Sequence, residues 1–168
     1  MDRTSTELDD IDRIESQWHR ERPDLDPSPM QVIGRISRLH WALEEHLVRV
    51  FGEYDLSRGE FDVLATLRRA GAPFELSAGD LRGSTLVTSG AVTKRVDRLE
   101  RAGLVHRRAA EDDARGRLIQ LTARGREVID EAIEHHLRNE TRLLAGLTDD
   151  EHQALVALLR KLNQTLPR

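Results

Sequence analysis

Apolar residues recur with a helical period along most of this chain, and the pattern changes in one place, between residues 104 and 122. Within Leu86–Gly103, Val92, Val96 and Leu99 stand at i, i+4 and i+7. That spacing lines them up on one side of a helix, and Gly103 follows where a left-handed C-terminal cap is wanted. The other side carries Ser89, Gly90, Thr93, Lys94 and Arg98, short polar groups and flexible cations. Taken alone, the segment is equally an amphipathic surface helix with ordinary charges. The stretch Leu104-Val105-His106-Arg107-Arg108, the polar tip Ala109–Gly116 and Arg117-Leu118-Ile119-Gln120-Leu121-Thr122 then predict a hairpin. Its returning half alternates apolar Leu118 with polar neighbours and ends in Leu121, as a half-buried strand does. A helix-turn-helix followed by such a ribbon predicts a winged helix: the helix enters one groove of a duplex and the wing reaches the adjacent minor groove or backbone.

The flanking segments are helical. Leu8, Ile11, Ile14 and Trp18 repeat at helical spacing and predict a short helix ending before Pro23. Ser28-Pro29-Met30-Gln31 has the form of a capping box with proline at the first helical position, opening a long helix with Val32, Ile36, Leu39, Leu43, Leu47 and Val50 on one face and an end near Gly52. Ser57-Arg58-Gly59-Glu60 is a second box, starting a helix with Phe61, Leu64 and Leu67 inward that stops near Gly71-Ala72-Pro73. Leu76 to Leu81 reads as the positioning helix with Ser77 as N-cap, joined by Gly83-Ser84-Thr85 to the reading helix. Beyond the ribbon, Val128/Ile129, Ala132/Ile133, His136/Leu137 and Leu143/Leu144 predict another long helix. Thr148-Asp149-Asp150-Glu151 is a third box, opening a last helix with Leu155, Leu158, Leu159 and Leu162 as its stripe.

The fold expected is mainly α with a small β-wing: a winged helix-turn-helix with N- and C-terminal dimerisation helices. Its segments are 1–27 (acidic, with a short helix), 28–56 (dimerisation and linking helix), 57–122 (winged lobe) and 123–168 (C-terminal dimerisation helices), all one structural domain. The terminal regions carry more apolar stripe than one small winged helix covers, which predicts a helical homodimer interface. Two lobes related by a two-fold axis read half-sites about one DNA turn, roughly 10 bp, apart.

Composition narrows the function. With 38% apolar and 33% charged residues among 168, the chain is one globular, helix-rich domain's worth. Its net charge is −4, yet Arg82 to Arg126 holds eleven basic against five acidic side chains. Residues 1–27 hold nine acidic against four arginine side chains, so that segment avoids polyanions. Cations concentrated on the predicted lobe argue for nucleic acid. The absence of cysteine excludes disulfides and thiol redox sensing. No apolar run spans a bilayer and Met1–Glu7 is too polar for a signal peptide, so a cytoplasmic location is expected. Seven histidines include no His-x-x-x-His pair, and His135 and His136 diverge on a helix, so no metal site is expected. Without a P-loop, Gly-x-Ser-x-Gly or His-Glu-x-x-His, neither an enzyme nor a cofactor is expected.

The run Asp97-Arg98-Leu99-Glu100-Arg101-Ala102-Gly103-Leu104-Val105, then Arg107-Arg108, Asp113-Ala114-Arg115 and Leu121-Thr122-Ala123-Arg124-Gly125, resembles the signature of the MarR family of bacterial transcription regulators over roughly 28–166. The resemblance implies a homodimer on double-stranded DNA, contacted by Thr88, Ser89, Gly90, Thr93, Lys94 and Arg98 of the reading helix and by Arg108, Asp113, Arg115 and Arg117 of the wing. Asp113 would orient Arg115 into the minor groove. Trp18, Asp62, Arg95 and Arg107 resemble the four ligand positions of the family's urate-responsive branch, whose members also have an extra N-terminal helix. That implies a small anion, urate or a small carboxylate, as the ligand that releases a repressor from DNA. Two arginines fork onto the anion, the indole flanks it, and Asp62 moves away from the new charge. The plainer alternatives are a packed Trp18, an Asp62–Arg95 structural salt bridge, and Arg107 or Arg108 on phosphate. Arg101 and Arg124 read as solvated surface. A winged-helix protein-interaction module and a metal-responsive regulator are the competing functions.

Overall fold

A computed structural model of the chain describes residues 8–84, 92–109 and 117–166. By its contacts the chain forms two compact units, Met1–His46 and Leu47–Arg168.

In the first unit, α1 (Asp10–Glu21) ends before Pro23 as the spacing predicts, and it carries a capping box of its own. Asp9 accepts from the backbone N–H of Ile11 and Asp12, and Asp12 accepts from that of Asp9. The box expected at Ser28 does not form at the start of α2 (Met30–Gly52). Asp26 takes both the N–H and the hydroxyl of Ser28, each at 3.0 Å, because a carboxylate two residues upstream outcompetes helix N–H groups as a partner. Gln31, the other half of that expected box, donates instead to Glu15 of α1. Arg35 of α2 bridges Asp9 and Asp12, both at 2.9 Å. A Cβ on Gly34 would stand 2.8 Å from Ile11 Cδ1, so the missing side chain lets α1 and α2 close up. Val32, Ile36, Leu39 and Leu43 of the predicted α2 face stay exposed.

The second unit holds the winged lobe. Its α3 (Arg58–Arg69) starts at the Ser57/Glu60 capping box and buries Phe61, Leu64 and Leu67, as predicted. Residues 76 and 77, read from sequence as helix, are strand: β1 (Glu75–Ser77) precedes α4 (Ala78–Ser84). Three residues are too few to show alternation, and what makes them a strand is a remote partner, β3. Ser77 still caps α4, accepting from Asp80 N–H at 3.0 Å and donating to its carboxylate at 2.7 Å.

Helix α5 (Val92–Arg101) buries Val92, Val96 and Leu99. The N-terminal part of the predicted reading helix, with Thr88, Ser89 and Gly90, lies outside the described residues. Gly103, at φ +71°, ends the helix as expected. Its N–H bonds Glu100 C=O, and Leu104 N–H bonds Leu99 C=O, both at 2.9 Å, the double closure that a left-handed residue makes possible.

The wing is the hairpin β2 (Val105–Ala109) and β3 (Arg117–Leu121), with β1 added on the far side of β3 in an antiparallel sheet of order β1-β3-β2. Val105 pairs with Leu121 and Ala109 with Arg117. The inward residues of β3 are Ile119 and Leu121. Leu118, expected to be the alternating apolar position, is only half-buried, because the two-residue period counted from Leu121 selects Ile119. Helix α6 (Ala123–Leu143), capped by Thr122, lays Ile129 and Ala132 on the core, and α7 (Asp149–Thr165) begins at the predicted Thr148/Glu151 box. No residue of α7 is buried. No described helix is long and apolar enough to cross a membrane.

Candidate nucleic-acid interface and anion site

With Val92, Val96 and Leu99 turned inward, the 100° step per residue puts Thr93, Lys94, Arg98 and Arg101 on the outward side of α5, and all four are exposed. Arg98 has 62% of its side chain exposed while its Nε lies 3.1 Å from Oε1 of Glu60 on α3. On the wing, Arg117 is exposed and opposite Ala109, at the outer end of the paired part of the hairpin. Asp113 and Arg115 lie outside the described residues.

Arg108 has a different setting. From β2 it reaches across the central strand to Glu75 of β1, donating from Nε at 2.8 Å and Nη2 at 2.7 Å. The Arg108 hydrogen bonds hold the Glu75 carboxyl below its ordinary pKa, against the opposing effect of burial. A depressed carboxyl pKa means the pair stabilises the sheet fully above the ordinary carboxylate range and loses that contribution as pH falls through the lowered value. Sequence position marked Arg108 as a cation on a strand, but the partner that partly neutralises it is 33 residues away.

The expected ligand residues divide among three places. Arg95 of α5 lies against the first turn of α3: a Cβ on Gly59 would come within 2.2 Å of its Nε. Asp62 is three residues further on, hence on the same side of α3, and is 6% exposed. Arg95 Nη1 is buried with no hydrogen-bond partner. A buried donor without an acceptor costs about 1–3 kcal/mol, so this atom favours whatever oxygen or nitrogen acceptor arrives. Arg107 on β2 is instead paired with Asp97 and Glu100 of α5, and its N–H donates to Glu100 at 3.0 Å. Burial works against its charge, but the hydrogen bonds from those two carboxylates outweigh it and keep its pKa raised. Trp18 belongs to the first unit, on α1, and is 46% exposed. A cleft of about 640 Å³ in the second unit is lined by Val50, Glu53, His135 and Arg138 among others, and by none of Asp62, Arg95 and Arg107. Sequence reasoning did not find Gly59, Glu75, or the roles of Asp97 and Glu100. Nothing in their local spacing distinguishes them from surface residues.

Comparison with known proteins agrees with this geometry. A model of the MarR family matches residues 54–116. Over 157 residues the chain is 41% identical to the HTH-type transcriptional regulator PecS of Dickeya dadantii, spanning 94% of this chain and 95% of that one. Among solved structures, a cysteine-to-serine mutant of Escherichia coli MarR complexed with operator DNA aligns at a TM-score of 0.69 and 26% identity, covering 89% of this chain and 98% of its own. BpsR of Bordetella bronchiseptica, whose DNA binding is regulated by 6-hydroxynicotinic acid, aligns at 0.63 and 26% identity, covering 77% and 98%. These relatives are regulators of transcription and not enzymes. An outward cationic face on α5, an antiparallel wing beside it and identity sustained over almost the whole length make this chain a winged-helix, DNA-binding member of the MarR family of transcriptional regulators.

Proposed function

We propose that the chain is a homodimeric repressor that holds a pseudo-palindromic operator through α5 and the wing and releases it when a small anion such as urate binds. The observation that carries the DNA half is the shared exposed side of Thr93, Lys94 and Arg98, directly opposite the buried side of α5. Arg115 and Arg117 extend it along the wing, with Asp113 orienting Arg115, by resemblance to the family. Dimerisation is supported by α7, whose Leu155, Val156, Leu158 and Leu159 all face water in a single copy. Apolar faces of this extent bury each other in two-fold assemblies.

Release is supported by the orphaned Nη1 of Arg95, a cationic donor aimed into the protein beside the Asp62 side of α3. An anion there satisfies Arg95 and places negative charge near Asp62. Arg107 joins the same anion by letting go of Asp97 and Glu100, which returns two free carboxylates to the helix that carries Lys94 and Arg98. That change weakens its hold on phosphate. Trp18 enters this reading through its resemblance to the urate-responsive branch alone.

Ionic strength tests the DNA half. Affinity for a duplex selected by the protein from a randomised pool should fall about 10³-fold or more between about 50 and 200 mM salt, as six or more phosphate contacts release counterions. A nearly salt-independent affinity overturns it in favour of a protein-interaction module. Arg95→Ala tests the anion half. That variant should bind the same duplex within about threefold of wild type, a change under 1 kcal/mol, while urate no longer displaces it. Undiminished urate-dependent release would remove Arg95 from the site.

A further inference from the structure

The first turn of α3 meets α5 twice: Gly59 under Arg95, and Glu60 against Arg98. The Ser57/Glu60 box accounts for only one oxygen of Glu60. Oε2 accepts from Ser57 N–H at 2.8 Å and from the Ser57 hydroxyl at 2.7 Å, while Oε1 faces Arg98 Nε at 3.1 Å. The Glu60 side chain is 3% exposed, and a carboxylate so far from water persists only when its oxygens are partnered. Arg98, in contrast, is mostly in solvent. A guanidinium has five N–H groups in a rigid plane, so an Nε edge turned to Glu60 leaves the four on Nη1 and Nη2 for an outside acceptor.

We infer that Glu60 is a positioning residue for DNA binding, one that clamps the Nε edge of Arg98 so that its Nη groups stand ready for a phosphate or base edge. The inference rests on the reading that the exposed side of α5 faces DNA. Glu60 itself is too buried to touch the duplex. Its contribution is pre-organisation: the long side chain is already confined before DNA arrives, so less freedom is lost on binding.

Glu60→Gln separates this role from capping, because glutamine also serves at the third position of a capping box but brings no charge to Arg98. Ser57→Ala is the complement, removing the cap hydroxyl and leaving the charge that faces Arg98. With the full chain and the duplex selected by the wild type, Glu60→Gln should melt close to wild type yet bind about fivefold more weakly. In an Arg98→Ala background the same substitution should have no further effect. Ser57→Ala should lower the melting temperature and leave affinity within about twofold.

Three outcomes overturn the proposal: the Glu60→Gln loss persisting in Arg98→Ala, Ser57→Ala weakening binding as much as Glu60→Gln, or Glu60→Gln binding at wild-type strength or tighter. Lys94→Ala is the separate control on the DNA-facing reading. If Lys94→Ala weakens binding and Glu60→Gln does not, only the role of Glu60 is lost; if wild type and Lys94→Ala are alike in showing no salt-sensitive binding, the DNA-facing reading of α5 falls with it.

Discussion

Gly125→Ala should melt at least about 6 °C below wild type and lose at least about 3 kcal/mol of stability, compared at equal protein concentration. Helix propensity alone predicts the reverse, since alanine is better than glycine inside a helix by about 1 kcal/mol. The structure reverses the sign because Gly125, in the first turn of α6, is where α6 touches the chain leaving α5. An added Cβ would lie 1.9 Å from the carbonyl oxygen of Leu104 and 2.8 Å from its carbonyl carbon. Neither side has a flexible tip that gives way. Leu104 is fixed by its N–H bond to Leu99 and by its carbonyl, which accepts from Thr122 N–H at 3.0 Å; Gly125 N–H is fixed on the Thr122 hydroxyl at 2.9 Å. To make room, the α6 start must part from the α5–β2 junction, which also moves the wing relative to the reading helix. Thermal unfolding followed by circular dichroism measures the loss. A melting temperature equal to or above wild type would show that the approach of these two backbones is looser than described.

The double variant Lys94→Ala/Arg98→Ala should keep its fold and lose on the order of 10²- to 10³-fold in DNA affinity near 0.15 M salt. Both side chains are exposed, so their removal takes nothing from the core. Each phosphate contact contributes about 0.9 to the slope of log affinity against log salt, and two copies of the chain lose two contacts each. The slope should therefore flatten by about 3 to 4 units. Because phosphate contacts carry no sequence information, the loss should be nearly the same on selected and unrelated duplexes. Fluorescence anisotropy at several salt concentrations gives both quantities. An affinity drop without any change of slope would mean that these cations read bases or support the fold instead.

What could be read from sequence was what is encoded within a few residues. The Ser57/Glu60 and Thr148/Glu151 boxes, the Gly103 cap and the Val92/Val96/Leu99 stripe all involve partners at most seven positions apart, and all form. Ser28 fits the same local rule and fails because Asp26, outside the four-residue pattern, is the better partner. Strand β1 went unseen since its reason for being extended is β3, more than forty residues downstream. The candidate site follows the same division. Lys94 and Arg98 announce themselves as cations on a polar face, whereas the carboxylates that occupy Arg107 and Arg108 are set by the packing of β2 on α5 and across β3. Gly125 had no signal at all: a glycine near a helix start looks like a neutral choice until the carbonyl beneath it is known.

Helix α7 has a consequence for abundance. Seventeen residues with nothing buried make a helix near the length at which an isolated peptide in water is barely half formed. Its persistence depends on whatever lies over Leu158 and Leu159, so at low copy number the terminal helix melts before the winged lobe does. The supply of chains competent to act then climbs more steeply than the rate at which they are synthesised, a built-in threshold on dosage.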